Sequence, residues 1–211
     1  MIKKIFLSII LSILFISNTF AAVLYVKSDG SGDCSTWANA CKLQTALLNS
    51  TSGDQIWVQR GVYYPGESYS DSFNLKDGVA IYGGFLGTET QLNQRDWKNN
   101  LTILSGDIDK NDVNEDGNYI AETFNDIRGL NSQKIISISS NISSSTILDG
   151  FVITAGSGTY GGGIDNSNGS PILRNLIIIG NYVYYNGGGL YNYRGKPKII
   201  NVTFSGNYAQ Y

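Results

Sequence analysis

The sequence repeats itself at a fixed interval in its C-terminal third. Gly161-Gly162-Gly163-Ile164 returns 26 residues later as Gly187-Gly188-Gly189-Leu190, and what lies between returns in register. Pro171 matches Pro197, Asn166 matches Asn192, Asn175 matches Asn201, and Gly180-Asn181-Tyr182 matches Gly206-Asn207-Tyr208. A period of this length marks a solenoid, in which each copy is one coil that buries its apolar residues only against its neighbours.

Within the repeat the pattern is that of a strand. Leu173, Leu176 and Ile178 become Ile199, Val202 and Phe204 in the next copy, whereas Ile177 and Ile179 become Thr203 and Ser205, which predicts that the latter pair faces outward. An earlier copy, one residue shorter, puts Leu148, Phe151 and Ile153 in the same core places. Gly150 then stands where Asn175 and Asn201 stand, and Gly156 where Asn181 and Asn207 stand. Glycine and asparagine most readily adopt the left-handed conformation of a sharp bend, so each coil is expected to turn at both places. The asparagines are expected to form inward amide ladders that satisfy those bends.

Two solenoids fit the strand segment. Leu173-x-x-Leu176-x-Ile178-x-x-Asn181 satisfies a leucine-rich repeat, but such a repeat returns along a helical side. Here the return is Tyr182-Val183-Tyr184-Tyr185-Asn186 followed by three glycines, which is aromatic, β-branched and poor in helix formers. The pattern favours an all-β fold, a right-handed parallel β-helix, with the regular coils at 131–211 and a less regular cap and first coils at 22–130. The chain stops partway through a copy, at Tyr211, and is expected to be the N-terminal part of a longer protein.

Residues 1–21 read as a secretory signal peptide. Lys3-Lys4 precede an apolar run from Ile5 to Ile16, and Thr19-Phe20-Ala21 offers small residues for cleavage before Ala22. The run is short for a membrane anchor, so no membrane span is expected in the remaining chain. The expected location is the medium or the cell surface, in association with an outer membrane. In that oxidising setting Cys34 and Cys41 are expected to form a local disulfide rather than a metal site or a reactive thiol. A helix capped by Ser35 or Thr36 and carrying Trp37, Ala40, Cys41, Leu43, Ala46, Leu47 and Leu48 is expected to cover the N-terminal end of the stack.

Several ordered motifs carry a family likeness. Ser35-Thr36-Trp37-Ala38-Asn39-Ala40, the coil Gly53-Asp54-x-Ile56-x-Val58 with Gly61-Val62-Tyr63-Tyr64-Pro65, Gly83-Gly84-Phe85-x-Gly87-Thr88-Glu89-Thr90, and Leu104-Ser105-Gly106-Asp107-Ile108 resemble secreted bacterial β-helix proteins of the pectin-lyase-like superfamily. The triple-glycine blocks with Phe204-Ser205-Gly206-Asn207 resemble the repeats of polymorphic outer-membrane proteins. The resemblance implies the fold more than the function, because such proteins include adhesins, surface layers and polysaccharide-degrading enzymes.

Three functional classes follow. A net charge of −2 with no basic cluster gives no footprint for nucleic acid. The chain has no histidine, which removes the Gly-His-Gly element that the resemblance to polygalacturonase-like members implies, and Arg60, Arg128, Arg174 and Arg194 lie in no lyase-like motif. The expectation is therefore a non-catalytic segment that contacts glycan or a host or cell surface, with a polysaccharide lyase or hydrolase whose active coils lie elsewhere, or a structural stalk, as alternatives.

Two segments supply candidate sites. Asp112-x-Asn114-x-Asp116-Gly117 matches the first half of a calcium loop, preceded by Asp107 and Asp109. The second half departs from it, since the twelfth place is Thr123 and the nearest carboxylate, Glu122, comes one residue early; Ca2+ binding is expected to be weak if present, and a plain polar loop is the alternative reading. The aromatic return segment offers Tyr182, Tyr184, Tyr185, Tyr191 and Tyr193 as a face for sugar rings, or else as strand residues packing on their neighbours.

Overall fold

A computed structural model describes residues 21–211. The expected signal segment, apart from its last residue, lies outside the described residues. The chain begins with β1 (Val23–Val26) and α1 (Leu43–Asn49), followed by β2 (Gln55–Gln59), β3 (Gly61–Tyr63), β4 (Phe73–Asn74), β5 (Ala80–Phe85) and β6 (Thr102–Ser105). The later strands are β7 (Ile136–Ile138), β8 (Ile147–Thr154), β9 (Ser157–Tyr160), β10 (Ile164–Ser167), β11 (Ile172–Ile179), β12 (Tyr182–Asn186), β13 (Leu190–Tyr193), β14 (Lys198–Ser205) and β15 (Tyr208–Ala209).

The strands form three sheets, and every pairing between them is parallel. The largest follows the order β1-β2-β5-β8-β11-β14, with β3 and β6 joined to it through β8; the second is β13-β10-β7-β4 and the third β15-β12-β9. From β8 onward the chain visits the first, third and second sheets in turn and then returns to the first, one strand along. The architecture is thus all-β and mostly parallel, compatible with a parallel β-helix.

The sequence repeat is the strand register. Leu148, Leu173 and Ile199 are neighbours across the ladder, as are Phe151, Leu176 and Val202, and Ile153, Ile178 and Phe204. The first two members of each row are buried in one continuous core, while Ile177 and Ile179 are only half-buried. On the edge strand β14, Ile199 and Phe204 are exposed.

The first bend falls where expected. Gly150, Asn175 and Asn201 all have left-handed backbones, with φ of 85°, 51° and 50°. The second bend lies one residue before its expected position: Ala155, Gly180 and Gly206 carry φ of 66°, 62° and 59°, not Gly156, Asn181 and Asn207. The asparagines act there through their side chains. Asn181 is fully buried, its Oδ1 accepts from Gly156 N at 2.9 Å, and its Nδ2 donates to Ile153 O, Ile179 O and Asn207 Oδ1 at 2.9–3.1 Å. The row at Asn175 and Asn201 is not inward: Asn201 Nδ2 donates to Asn175 Oδ1 on the surface, and Asn175 Nδ2 donates to Asp149 Oδ1.

The expected N-terminal helix is shorter than its apolar pattern. It starts at Leu43, and Leu48 is 77% exposed rather than part of a buried face. Residues 34–41 instead form a turn closed by the Cys34–Cys41 disulfide, with Cα atoms 4.8 Å apart. That turn is held against β1 by Tyr25 N to Cys34 O and Cys41 N to Tyr25 O, so its backbone groups are taken and cannot enter a helix. The helix that remains packs Leu43, Ala46 and Leu47 against β1, β2 and β4. Trp37 joins Tyr25, Trp57 and Phe85 in an aromatic cluster, with neighbouring ring centroids 4.8–5.7 Å apart.

Two excursions leave the coils. One, 86–101, separates β5 from β6, which pair with successive halves of β8 on either side of Gly150. It is tied down by Arg95, whose Nη2 lies 2.7 Å from Oδ2 of the fully buried Asp149 and whose guanidinium sits over the Tyr82 ring. Arg174 Nε also reaches that carboxylate at 2.5 Å, so the buried charge is paired twice. The second excursion, 106–135, carries the acidic segment and runs over the second bend. Ala121 N donates to Thr154 Oγ1, and a Cβ on Gly180 or Gly206 would stand 1.8 or 1.9 Å from Ala121 O or Glu122 O. Those glycines therefore serve both the left-handed turn and the close passage of the excursion. Among the described residues no helix is long and apolar enough to cross a membrane.

Candidate functional site

The tyrosines of the return segment divide into separate groups. β12 and β9 run in register at Tyr182–Ser157 and Val183–Gly158, then slip so that Tyr160 faces Asn186. This irregularity breaks the simple alternation that would put Tyr182 and Tyr184 on one face. Tyr182 instead lies parallel to Tyr208, with centroids 6.1 Å apart, and Phe124 from the second excursion stacks on Tyr208 at 4.3 Å. The Tyr182 hydroxyl donates to Gln210 Oε1.

Tyr184 and Tyr191 belong to the larger group. Tyr160 contacts Tyr191 at 5.2 Å and Tyr185 at 5.3 Å; Tyr185 contacts Tyr184 at 4.9 Å, and Tyr184 contacts Tyr211 at 4.9 Å. Five rings from β9, β12, β13 and the segment after β15 thus form one chain of contacts. Tyr160, Tyr184 and Tyr185 are each 40–43% exposed, which is high for rings in mutual contact. The result is a strip of apolar ring surface with hydroxyls at its edges, the amphipathic combination that suits sugars. Tyr193 stands apart, under the Arg194 guanidinium at 4.8 Å.

The acidic segment is organised as a loop in which its own carboxylates accept backbone hydrogens. Asp107 accepts from Asn111 N and Asp112 N, Asp109 Oδ2 from Leu130 N and Asn111 Nδ2, and Asp112 from Arg128 N and Asn131 Nδ2. Asn114 Oδ1 accepts from Tyr119 N, and Asp116 accepts from Asn118. Asp107, Asp109 and Asp112 are brought near one another, whereas Asn114 and Asp116 turn to local partners further along. Among the described residues no three His, Cys, Asp or Glu side chains gather as a metal-holding group.

Beside this loop lies a cleft of about 100 Å³ lined by Tyr64, Asp107, Lys110, Asp112 and Tyr119, and Tyr64 and Lys110 also line a larger groove of about 460 Å³ against the start of α1. Burial pushes the Asp112 carboxyl up to about 6, against hydrogen bonds from Arg128 N and Asn131, with Asp107 and Asp109 adding repulsion. Burial also raises Asp107, and burial together with Asp107 raises the Tyr64 hydroxyl. Lys110 and Tyr119 both have left-handed backbones, with φ of 58° and 62°. No local motif marks this cleft, since Tyr64 enters from the segment after β3.

Neither family models nor curated proteins nor solved structures return a match to this chain. The family likeness stated above therefore rests on its motifs, and the parallel sheets are compatible with it.

Proposed function

We propose that this chain is part of a right-handed parallel β-helix of the pectin-lyase-like kind, exported to the cell surface or the medium, and that it contacts glycan through its tyrosine strip. The observation that carries the reading is the unbroken contact chain Tyr191–Tyr160–Tyr185–Tyr184–Tyr211, built from neighbouring coils, with Tyr191 half-buried and the other four rings exposed. Aromatic rings left exposed at low conformational cost are the groups on which sugar faces settle, and several shallow contacts along a polymer add to useful affinity. The Ca2+ expectation is no part of this reading.

A glycan array probed with the purified chain and its Tyr160→Ala, Tyr185→Ala double variant tests the proposal. At about 1 kcal/mol for each ring, the double variant should bind about thirtyfold more weakly. No glycan binding by the unaltered chain leaves the structural stalk as the better reading.

A catalytic reading has one observation in its favour, the perturbed carboxyl of Asp112 in a cleft with Asp107, Tyr64 and Lys110. Release of sugar fragments by the unaltered chain, lost in Asp112→Asn, would support it over simple contact.

A further inference from the structure

We propose that the tyrosine strip is a site of oxidative cross-linking, at which Tyr160 and Tyr185 of neighbouring coils couple to dityrosine. Their centroids are 5.3 Å apart with 29° between the ring planes, a near-stacked contact that holds the two phenols of neighbouring coils within coupling reach. Both rings are about two-fifths exposed, so a one-electron oxidant reaches them. Each of Tyr160 and Tyr185 touches a further tyrosine, and the chain continues to Tyr191 at one end and Tyr211 at the other, so a radical formed at any of the five has a path to the pair. Tyr63 and Tyr82 are buried, and the exposed Tyr69 and Tyr119 make no ring contact among the described residues; Tyr182 and Tyr208 also stack across coils, but with centroids farther apart, at 6.1 Å, and with Phe124 stacked on Tyr208.

The chemistry needs an external oxidant of the peroxidase and hydrogen peroxide class. Each phenol gives up one electron and one proton, the two phenoxyl radicals form a carbon–carbon bond between ortho positions, and both hydroxyls return on tautomerisation. The peroxide takes the two electrons and two protons and leaves as two waters. The product ties β9 to β12 outside the sheet, in addition to their backbone ladder. It does not depend on glycan binding.

Trypsin cuts after Lys134, Arg174 and Arg194, so peptide 135–174 contains Tyr160 as its only tyrosine and peptide 175–194 contains Tyr185 together with Tyr182, Tyr184, Tyr191 and Tyr193, among which phenylalanine variants discriminate. After treatment with peroxidase and peroxide, the folded chain should yield these peptides joined, with two hydrogen atoms lost and dityrosine fluorescence. Tyr160→Phe, which keeps the ring and should keep the melting temperature, should abolish that joined pair, and Tyr185→Phe should reduce it severalfold, leaving Tyr191 as the only other ring in contact with Tyr160. Separate peptides from the oxidised chain, cross-links only between molecules, or an equal yield in denaturant would overturn the proposal.

Discussion

Replacing Asn181 by alanine isolates the contribution of the inner amide row. The side chain is fully buried; its Oδ1 accepts from Gly156 N, and its two Nδ2 hydrogens are shared among Ile153 O, Ile179 O and Asn207 Oδ1. The carbonyls each keep a second lone pair, but Gly156 N–H has no other acceptor in the bend and becomes an orphan donor. An unsatisfied buried donor costs about 1–3 kcal/mol and the lost neutral bonds contribute about 0.5–1.5 kcal/mol each, with overlap between the two counts. An overall loss of about 3 kcal/mol is expected, a large share of the stability of an ordinary domain. Urea unfolding followed by circular dichroism measures it, with Asn201→Gly as the control. Asn201 is exposed at a φ of 50°, and glycine tolerates that backbone, so the control should change stability by less than about 1 kcal/mol. A cost for Asn181→Ala no greater than that of the control would refute the assignment of the row as the bend's hydrogen-bond partner.

Gly180→Ala should destabilise the chain by about 2–4 kcal/mol, because the new Cβ meets Ala121 O at 1.8 Å on a left-handed backbone; hydrogen exchange should rise selectively across 119–126 as the excursion lifts. Asp112 supplies a pH test. Its folded pKa of about 6 lies above the ordinary value of 3.8, so the folded state holds its proton more tightly, and stability from this group is present at low pH and lost as pH rises through 6. After allowance for solvent screening at a half-buried group the loss is about 1–2 kcal/mol between pH 4 and 7, and the NMR chemical shift of the Arg128 amide, which donates to Asp112 Oδ1, should follow the Asp112 carboxyl with the same midpoint. A midpoint near 4 would remove the burial argument.

What could be read from the sequence was whatever the repeat carries in place. Leu173, Leu176 and Ile178 and their counterparts were legible because parallel in-register strands put equivalent residues side by side. Gly150 and Asn175 were legible as bends because few other residues tolerate that backbone. The second bend was misplaced by one residue because Ala155 takes the left-handed turn in one coil, hiding the glycine signal of Gly180 and Gly206. The helix start was misread because apolar spacing does not register that residues 34–41 already give their backbone groups to β1 and are closed by a disulfide. The aromatic grouping was only half legible. Tyr184 and Tyr191 share a strip through Tyr160 and Tyr185, but the slip in β12 and the arrival of Phe124 from a distant excursion follow no local pattern.

The strip, the bends and the excursions all depend on coils stacking parallel and in register, and cysteine trapping tests that directly. Ile177 and Thr203 are ladder partners on β11 and β14, and both side chains point away from the core. Neighbouring strands lie about 4.8 Å apart, within reach of a disulfide, so an Ile177→Cys, Thr203→Cys pair should close under mild oxidation. An Ile177→Cys, Ser205→Cys pair, two residues out of register, should stay reduced. Closure of the offset pair in preference to the matched one would contradict the stacking from which the rest of the account is built.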